Sequence, residues 1–568
     1  MKEVASKTIL KALKNLGVDF DEEKVDSNLE IPKDYSNGDF AFPCFALASK
    51  MKMPPRDIAV QIREEIGNGP ADFSSIETEG AYINFFLDRK VLAYNVINEV
   101  KNLGEKYGKN KIGNGERTML EFSQPNTHKA FHVGHIRGTS IGESLSRIME
   151  FSGDKVVRAN YSGDTGMHIA KWIWCYKKFH SRERLKNDEK WIASIYVDAV
   201  KKLSKNKKYQ EEVNKINQKL ETREDKEINA LWDKTRALSI KSWKKIYKEL
   251  NTHFDVHFFE SKVEKMGKEI SQELVKKRIA QISDGATVIK FEDKNLGVWV
   301  LLRNDGTVLY SAKDLALAQI KFEKYKIEKS IYIIGREQEH HMAQLFKTLE
   351  LMKFKNADKC KYVGFSEVRL PSGKMSSRTG ENILYSEFME EIINFTKKGI
   401  KKRDSKLSKD KLEKRALLIS VAAIKYSMLK QGSNKNIIFD KKEALNFEGN
   451  TGPYLLYSYA RANSIIKKAK IKKIPSFAVP KSMEEKETQI VLKIREFPKT
   501  VYSSYKDLNP AIIANYSYDL AKSFNEFYHA CPVLEGKNKE FRINLVYAFK
   551  ETLKNSLTLL GIETLEKM

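Results

Sequence analysis

Strand-like and helical segments alternate between about residues 116 and 390, and this alternation limits the possible folds more than any other property of the sequence. Strand-like runs such as "RTMLEF", "KVVRANY" and "KSIYIIG" are each followed by a helical pattern, and "ATVIKF", "GVWVLLR" and "TVLYS" continue the series. Strands that alternate with helices form a parallel sheet covered by helices, which binds ligands at the carboxyl ends of its strands. We therefore predict an α/β domain over residues 116–405 with its site at those ends.

The rest of the chain departs from this alternation in three places. Residues 1–115 begin with a helical pattern and end with the strand-like "GAYINFFLD", which indicates a small α/β module. Residues 176–250 are polar, charged and helical, which predicts a helical hairpin inserted into the central domain. Residues 406–568 are helical to the end, as is typical of an all-α domain. Because 568 residues are too many for one compact core, we expect these regions to be separate domains.

The formal net charge of +26 is the strongest signal in the composition, and it favours a polyanionic partner such as nucleic acid. The lysines are spread along the whole chain, however, so a lysine-rich proteome would give the same excess. The longest apolar run, "ALLISVAAIKYSML", is shorter than the roughly 20 residues of a membrane span. The N-terminal residues lack the apolar core of a signal peptide. These features predict a cytoplasmic protein that does not enter a membrane.

The cysteines lie far apart in the sequence and form no CxxC pair. This spacing argues against a disulfide framework and against a cysteine zinc site. We therefore expect reduced, partly buried thiols at Cys44, Cys175, Cys360 and Cys531.

The stretch "KAFHVGHIRG" follows the first strand of the central domain and the loop "SQPNTH". If a helix begins at His132, then His132 and His135 lie on one face and point at the end of the strand. Gly134 removes a side chain where a flat base could approach, and imidazoles can donate hydrogen bonds to phosphate oxygens. A zinc site that includes His128 is the alternative, but there is no HExxH motif and Pro125 breaks the helix before His128. The pattern favours a nucleotide site without zinc.

A second candidate phosphate-binding stretch, "PSGKMSSRTGEN", follows about 240 residues later. Its two cations, Lys374 and Arg378, lie on a loop flanked by glycines, which suits a mobile clamp on a triphosphate. An ordinary basic turn would look the same.

HxGH and KMSSR together resemble the HIGH and KMSKS signatures of class I aminoacyl-tRNA synthetases. The stretches "LEFSQPNTHKAFHVGHIRGTSIGESLSRIMEFSGDKVVRANYSGDTG", "GTVLYSAKDLALA", "FEGNTGPYLLYSYARANSI" and "NEFYHACPVL" resemble arginyl-tRNA synthetases in particular. The resemblance runs from about residue 35 to residue 568 and is weakest over 180–225. It implies a multidomain α/β plus α protein: a Rossmann-type parallel-sheet catalytic domain with inserted helices, a small tRNA-binding N-terminal α/β domain and a C-terminal all-α anticodon-binding bundle.

The resemblance also implies the reaction. Arginine and ATP with Mg²⁺ give arginyl-adenylate and pyrophosphate, and the arginyl group then passes to the 3′-terminal ribose of arginine tRNA. Relatives of this type form the adenylate only with tRNA bound, and a monomer is expected. The implied ATP-binding residues are His132, Gly134, His135, Lys374, Met375, Ser376 and Ser377, and the implied catalytic residues are His132, His135, Lys374, Arg378 and Lys129.

An arginine substrate needs carboxylates and planar acceptors around its guanidinium group. Glu121 ends the first strand, Asn126 follows in the loop, and Tyr310 and Asp314 are spaced for one helical face. In the family, the positions that match these four residues bind arginine together with the position of Gln338. Taken singly, each residue could instead be a helix cap, a turn residue or a surface residue.

The helical region contains "GPYLLYSYAR", which places Tyr454, Tyr457 and Arg461 on one helical face. Aromatic rings with a guanidinium group can stack unpaired bases, although a tyrosine-rich seam between helices is the more common arrangement. The family resemblance implies that these residues contact the anticodon. It also implies that Tyr82 and Asn84 contact the tRNA elbow.

Three residues depart from the family pattern: Thr165 replaces tryptophan in "GDTG", His168 replaces glutamine and Lys313 replaces arginine. They leave the fine shape of the substrate pocket open. Many relatives carry a lysine at only one of the positions 129 and 374, whereas this chain has both, so which lysine holds the phosphates is also open.

Three alternative hypotheses for the function remain. Another HxGH nucleotidylyl transferase would not need the helical C-terminal domain. A class I lysyl-type enzyme is expected to carry a cysteine cluster. A non-enzymatic tRNA-binding paralogue is expected to lose His132, His135 or Lys374.

Overall fold

The computed structural model describes residues 2–32, 37–371, 384–470 and 474–568. It divides the chain into two compact units, and each unit contains part of the C-terminal helical region. The first unit comprises Met1–Gly104, Ile465–Arg495 and Ser523–Glu551, and the second comprises Glu105–Ser464, Glu496–Lys522 and Thr552–Met568.

The N-terminal part of the first unit packs helices around a small antiparallel sheet of order β1-β3-β2. Alternate residues of its central strand, such as Ile83 and Phe85, are buried. The following helix begins where the Asp88 carboxylate accepts hydrogen bonds from two backbone N–H groups. The elements are α1 (Lys2–Asn15), α2 (Glu22–Asn28), β1 (Phe40–Pro43), α3 (Ala48–Met51), α4 (Pro55–Ile66), β2 (Phe73–Glu79), β3 (Tyr82–Leu87) and α5 (Arg89–Leu103).

The second unit is built on a five-stranded parallel sheet of order β11-β10-β4-β5-β6, which confirms the predicted fold class. The chain leaves β4 toward one side of the sheet and returns to β10 on the other, so the crevice between these strand ends is the expected ligand site. The elements of the second unit from β4 to β12 are β4 (Arg117–Glu121), α6 (Val133–Phe151), β5 (Lys155–Ser162), α7 (Met167–Phe179), α8 (Glu189–Lys205), α9 (Tyr209–Thr222), α10 (Lys226–Glu249), β6 (Val256–Phe259), α11 (Glu260–Lys276), β7 (Gln281–Ser283), β8 (Ala286–Lys290), β9 (Val298–Leu302), α12 (Tyr310–Tyr325), β10 (Lys329–Gly335), α13 (Glu339–Leu351), β11 (Cys360–Phe365) and β12 (Val368–Arg369).

Part of the predicted alternation is wrong. The runs "ATVIKF" and "GVWVLLR" do not join the parallel sheet but form β8 and β9 of a separate antiparallel sheet with β7. Their connection is too short for the crossover that parallel neighbours need, whereas an antiparallel pair needs only a short turn. The run "TVLYS" forms only an isolated antiparallel bridge, between Val308 and Leu302, and α12 begins at Tyr310.

The inserted segment is helical, as predicted, but α8, α9 and α10 make three helices rather than a two-helix hairpin. With α7, these helices enclose a tryptophan-rich core, in which the rings of Trp172 and Trp191 meet edge to face at 5.8 Å. Aromatic burial of this kind allows a segment that is polar on average to pack as a compact layer.

The C-terminal region is almost entirely helical, as predicted. Lys425 is buried there, and its ammonium group donates hydrogen bonds to the carbonyl oxygens of Leu250 (2.7 Å) and Gly561 (2.9 Å). Burial lowers the pKa of Lys425 to about 7. Among the described helices, none combines the length and the apolar character needed to cross a membrane. The elements are α14 (Tyr385–Arg403), α15 (Lys409–Leu429), β13 (Ile437–Ile438), α16 (Lys441–Ala444), α17 (Gly452–Lys468), α18 (Glu485–Lys506), α19 (Ala511–Ala530) and α20 (Lys539–Leu559).

Candidate active site

The five residues predicted to bind arginine all line one cavity of about 390 Å³ at the carboxyl ends of β4 and β10. They come from three separate segments of the chain: the end of β4 with the loop that follows it, the start of α12 and the turn after β10. The parallel sheet brings these segments together because β4 and β10 are neighbours in it. The residues are Glu121, Asn126, Tyr310, Asp314 and Gln338.

Glu121 already has a cation beside it. The ammonium group of Lys321 lies 2.7 Å from Oε2 of Glu121, and both side chains are almost fully buried. Lys321 also lies 3.8 Å from the ring centre of Tyr332, and Gln124 donates a hydrogen bond to the other Glu121 oxygen. Glu121 therefore contributes a hydrogen-bond acceptor to the cavity but little net negative charge.

Asp314 has a different environment. Its Oδ2 lies 2.7 Å from Nε2 of His341, and the Tyr310 ring packs against the same imidazole with centroids 4.7 Å apart. Among the described residues, no lysine or arginine forms an ion pair with Asp314. Its charge is consequently available to a cationic ligand.

Sequence reasoning missed several residues of this cavity. Glu260 begins α11 directly after β6, and Glu337 and His341 belong to "GREQEHH" directly after β10. All three could have been found by collecting every polar residue that follows a strand of the parallel sheet. The missed lining residues that carry a polar side chain are Gln124, Tyr161, Glu260, Tyr332, Glu337 and His341.

Two of the departures from the family pattern contact each other at this cavity. The Lys313 ammonium group lies 3.1 Å from a Glu260 oxygen and 3.3 Å from the Thr165 hydroxyl, which in turn lies 3.3 Å from the same carboxylate. Thr165 and Lys313 thus form one hydrogen-bonded group with Glu260. His168, the third departure, is held uncharged, because burial and nearby Lys129 bring its pKa well below the usual value.

The two histidines of "HVGH" lie at the start of α6, which follows His132 directly. The His132 backbone N–H donates to Nδ1 of His135 at 3.0 Å, so the proton of the neutral His135 ring is on Nε2. Burial, with a smaller effect of Lys129, lowers the pKa of His132 to about 4. Burial and His132 bring the pKa of His135 well below its usual value. Both rings are therefore uncharged at neutral pH and bind as hydrogen-bonding groups rather than as cations.

A second cavity, of about 350 Å³, lies in front of these histidines. A Cβ atom at Gly134 would lie 3.0 Å from the His132 ring, so glycine lets that ring stay at the cavity wall. Asn126 and Gln338 line both this cavity and the one described above. Ligands in the two cavities would therefore be adjacent.

Lys129 lies beside the same histidines, in a third cavity of about 650 Å³. Its ammonium group is 5.5 Å from the ring centre of Tyr196, and burial together with Lys171 lowers its pKa. The other predicted phosphate-binding residues, Lys374, Met375, Ser376, Ser377 and Arg378, lie outside the described residues.

Described residues on both sides of positions 372–383 contact α6 or the residue just before it. Arg137 is fully buried and donates hydrogen bonds to the carbonyl oxygens of Ser366 (2.6 Å) and Ser433 (3.1 Å). On the other side, Leu384 forms an isolated bridge with His132.

The residues predicted to contact the anticodon lie on α17. The Arg461 guanidinium group stacks 4.6 Å from the ring centre of Tyr457 and donates a hydrogen bond to its hydroxyl. Tyr457 is 37% exposed, so the other face of its ring can meet a ligand. Tyr454 packs against Tyr518, with ring centroids 5.7 Å apart.

The two residues predicted to contact the tRNA elbow lie on β3 and differ in exposure. Tyr82 is partly exposed and meets the ring of Phe45, itself 56% exposed, edge to face at 5.7 Å. Asn84 is only 5% exposed. An aromatic surface at Tyr82 and Phe45 is therefore available to a ligand, whereas Asn84 faces the interior of the first unit.

One group of potential metal ligands occurs among the described residues, at Cys175, His180 and Asp198. Asp198 accepts hydrogen bonds from both other side chains, at 3.4 Å from the thiol and 3.0 Å from the imidazole. Lys202 lies 3.7 Å from the same carboxylate. The contacts among these side chains account for the cluster without an ion.

Comparison with known proteins identifies the family. The model "Arginyl tRNA synthetase N terminal domain" matches residues 3–87, "tRNA synthetases class I (R), catalytic domain" matches 97–441, and "DALR anticodon binding domain" matches 455–568. The chain is 36% identical to the arginine–tRNA ligase of Clostridium perfringens (strain 13 / Type A) over 562 residues, which cover 97% of this chain and 98% of that protein. It is 37% identical to the arginine–tRNA ligase of Clostridium botulinum (strain Alaska E43 / Type E3), with 97% and 98% covered.

Solved structures show the same fold. The Thermus thermophilus arginyl-tRNA synthetase superposes with a TM-score of 0.80 at 24% identity and covers 100% of both chains. The Plasmodium falciparum arginyl-tRNA synthetase gives a TM-score of 0.78 at 23% identity and covers 100% of this chain and 98% of that chain. Because the catalytic-domain model spans more than half of the sequence and the curated relatives match it almost from end to end, the chain belongs to the arginyl-tRNA synthetase family.

Proposed function

We propose that the cavity at the ends of β4 and β10 binds arginine and that the adjoining cavity in front of His132 and His135 binds ATP. The chain is an arginine–tRNA ligase, which activates arginine with ATP and transfers it to tRNA. The observation that supports the arginine site best is the convergence of all five expected residues from three segments on one cavity.

The charges that line the first cavity suit a guanidinium group. Glu121, Glu260, Asp314 and Glu337 supply four carboxylates, and Lys321 and Lys313 pair with the first two. The remaining negative charge comes from Asp314 and Glu337. A guanidinium group is a planar fork of N–H donors with one positive charge, so it complements these carboxylates. Tyr310, Asn126 and Gln338 add neutral acceptors to the cavity.

In the proposed first step, the carboxylate of bound arginine attacks the α-phosphorus of ATP and pyrophosphate leaves. The carboxylate is already ionised, so this step needs no general base, and positioning and charge stabilisation lower the barrier. The N–H groups of the neutral His132 and His135 rings would donate to phosphate oxygens as charge develops on them. ATP enters as its magnesium complex, in which the ion is held mainly by phosphates and water.

The positive charge for the leaving pyrophosphate is proposed to come from Lys129, Lys374 and Arg378. Met375, Ser376 and Ser377 complete the proposed ATP-binding loop.

We propose further that tRNA is bound at both ends of the chain. Tyr454, Tyr457 and Arg461 would stack anticodon bases, and Tyr82 and Asn84 would contact the elbow. The stacked pair of Tyr457 and Arg461 supports the first assignment. For the second, Tyr82 is the better supported of the two residues, because Asn84 is buried.

The overall organisation is also proposed. The domains would comprise residues 1–115, 116–405 with the insertion at 176–250, and 406–568. The protein would act as a monomer in the cytoplasm.

Pyrophosphate exchange with each of the standard amino acids, with and without arginine tRNA, tests the function. We expect exchange with arginine alone, and only when the tRNA is present. Asp314→Asn should raise the arginine KM strongly, since losing one charged partner in a desolvated site costs about 2–5 kcal/mol. Strong exchange with another amino acid would contradict the proposed substrate, and exchange without tRNA would contradict the expected tRNA requirement.

A further inference from the structure

A chain of hydrogen bonds ends on the Asp314 carboxylate. The indole Nε1 of Trp299 lies 3.2 Å from Nδ1 of His341, and Nε2 of His341 lies 2.7 Å from Oδ2 of Asp314. The three residues belong to three different elements, β9, α13 and α12. We infer that this Trp–His–Asp chain positions Asp314 for the guanidinium group of arginine and so contributes to amino-acid specificity. The inference rests on the proposed role of this cavity as the arginine site.

The direction of each bond follows from the donors and acceptors available. An indole nitrogen can only donate, so Nδ1 of His341 must carry a lone pair. The proton of the neutral imidazole is then on Nε2, from which it is donated to Asp314. The carboxylate therefore receives a charge-assisted hydrogen bond from a ring whose tautomer is set by its other neighbour.

Packing holds the imidazole in this orientation. Trp299 is only 3% exposed, so its indole is fixed in the core of the second unit. The Tyr310 ring packs on the imidazole at 62°. Gln344, one turn after His341 on α13, donates a hydrogen bond at 2.7 Å to the carbonyl oxygen of Leu296, just before β9. The helix that carries His341 is therefore held to the strand that carries Trp299.

A fixed carboxylate can distinguish a guanidinium group from an ammonium group. A guanidinium group is a planar fork of N–H donors, so its two bonds to a carboxylate form only when the two planes match. Oδ2 of Asp314 accepts a hydrogen bond from His341 and keeps a second lone pair for a ligand. Oδ1 accepts no hydrogen bond from His341, so both oxygens can accept from a guanidinium group. An ammonium group can approach a carboxylate from many directions and gains little from a fixed plane. His341 is thus a positioning residue whose loss should weaken arginine binding more than lysine binding.

The test compares His341→Leu, His341→Gln and Trp299→Phe in the full chain with arginine tRNA present. Glutamine can place its amide N–H close to the position of Nε2, whereas leucine cannot donate at all. His340, the exposed neighbour on the same helix, gives the matched control His340→Leu. The measurements are the KM for arginine, the KM for ATP, kcat at saturating arginine, and the inhibition constant of lysine as a competing probe.

We expect His341→Leu to raise the arginine KM by about 10- to 100-fold, the usual effect of losing a hydrogen bond to a charged group. The ATP KM, kcat and the lysine inhibition constant should change by less than about threefold, given the weak dependence of an ammonium group on the carboxylate plane. His341→Gln should recover most of the loss, Trp299→Phe should show a smaller rise in arginine KM, and His340→Leu should behave as the unaltered chain.

An unchanged arginine KM in His341→Leu overturns the inference, and so does a His341→Gln variant that is as impaired as His341→Leu, which would make the imidazole a packing group. Asp314→Asn separates this failure from that of the proposed function. If Asp314→Asn raises the arginine KM and His341→Leu does not, only the positioning role is wrong. If neither raises it, the cavity is not the arginine site.

Discussion

At the scale of single residues, the buried pair of Glu121 and Lys321 is both a structural contact and part of the candidate arginine cavity. Removing one partner of a buried ion pair leaves the other charge unpaired in a medium of low polarity, which costs about 3–5 kcal/mol. Lys321 is 0% exposed and has no route to water without a local rearrangement. A kinetic effect of changing Glu121 alone would therefore combine lost arginine binding with lost stability.

A double substitution separates these effects. Glu121→Gln should lower the free energy of unfolding by about 3–5 kcal/mol, and adding Lys321→Met should restore most of it because no charge is left unpaired. The arginine KM should stay raised in both variants if Glu121 contacts the substrate. Urea unfolding and exchange kinetics measure the two quantities, and Lys324→Met, an exposed lysine on the same helix, is the control. Full stability in Glu121→Gln would show that the ion pair contributes nothing in solution.

Sequence reasoning found the cavity but not its internal contacts, for a physical reason. Glu121 ends β4 and Asp314 lies near the start of α12, and a pattern of strands and helices can locate both positions. Lys321 lies in the middle of α12 and reaches Glu121 only because the packed sheet sets that distance. The contact of Thr165 with Lys313 joins residues far apart in sequence, and nothing in either neighbourhood indicates it.

At the scale of elements, α17 presents a stacked tyrosine and arginine at its surface. Tyr457 is partly exposed, and its contact with Arg461 is local to the helix, since the two residues are four positions apart. Removing the ring therefore should cost little fold stability. The same ring offers a face on which an unpaired base can stack, worth about 1–3 kcal/mol.

Tyr457→Ala should weaken binding of arginine tRNA by about 1–3 kcal/mol with a near-normal melting temperature. Tyr457→Phe keeps the stacking face and should bind almost normally. Tyr502, an exposed tyrosine on α18, gives the control Tyr502→Ala. Filter binding with arginine tRNA and with an anticodon-swapped tRNA measures the effect, which should shrink for the swapped tRNA. Equal weakening for both tRNAs with a large drop in melting temperature would make Tyr457 a packing residue.

The strands and helices around the site differ in how well the sequence pattern predicts them. The parallel strands next to the site and the starts of the helices that follow them agree with the sequence prediction within a few residues, because each strand has a clear apolar pattern. The prediction that the runs forming β8 and β9 join the parallel sheet is wrong, since a strand-like run does not show whether its neighbour is parallel or antiparallel. The short connection between β8 and β9 is the sequence signal that indicates an antiparallel pair.

At the scale of the whole molecule, the net charge of +26 predicts how substrate binding depends on salt. Each phosphate contact releases condensed counterions, so affinity for a polyanion falls steeply as salt rises. Ion pairs inside a cavity are screened much less. The tRNA KM should therefore rise by about tenfold or more between about 50 and 200 mM KCl, while the arginine KM changes by less than about twofold. Equal salt dependence of both constants would mean that the positive charge is not used for tRNA.

The order of strands in the parallel sheet also determines when the candidate arginine cavity can form during translation. Glu121 on β4 pairs in the sheet with Tyr332 on β10, which leaves the ribosome about 200 residues later. At about 5–20 residues per second this delay lasts about 10–40 s. Until then one edge of β4 is open, and the candidate arginine cavity lacks the wall that carries Gln338 and His341. If this cavity binds arginine as proposed, arginine cannot stabilise the nascent chain in that interval, and the unpaired edge of β4 is a place where the nascent chain can aggregate.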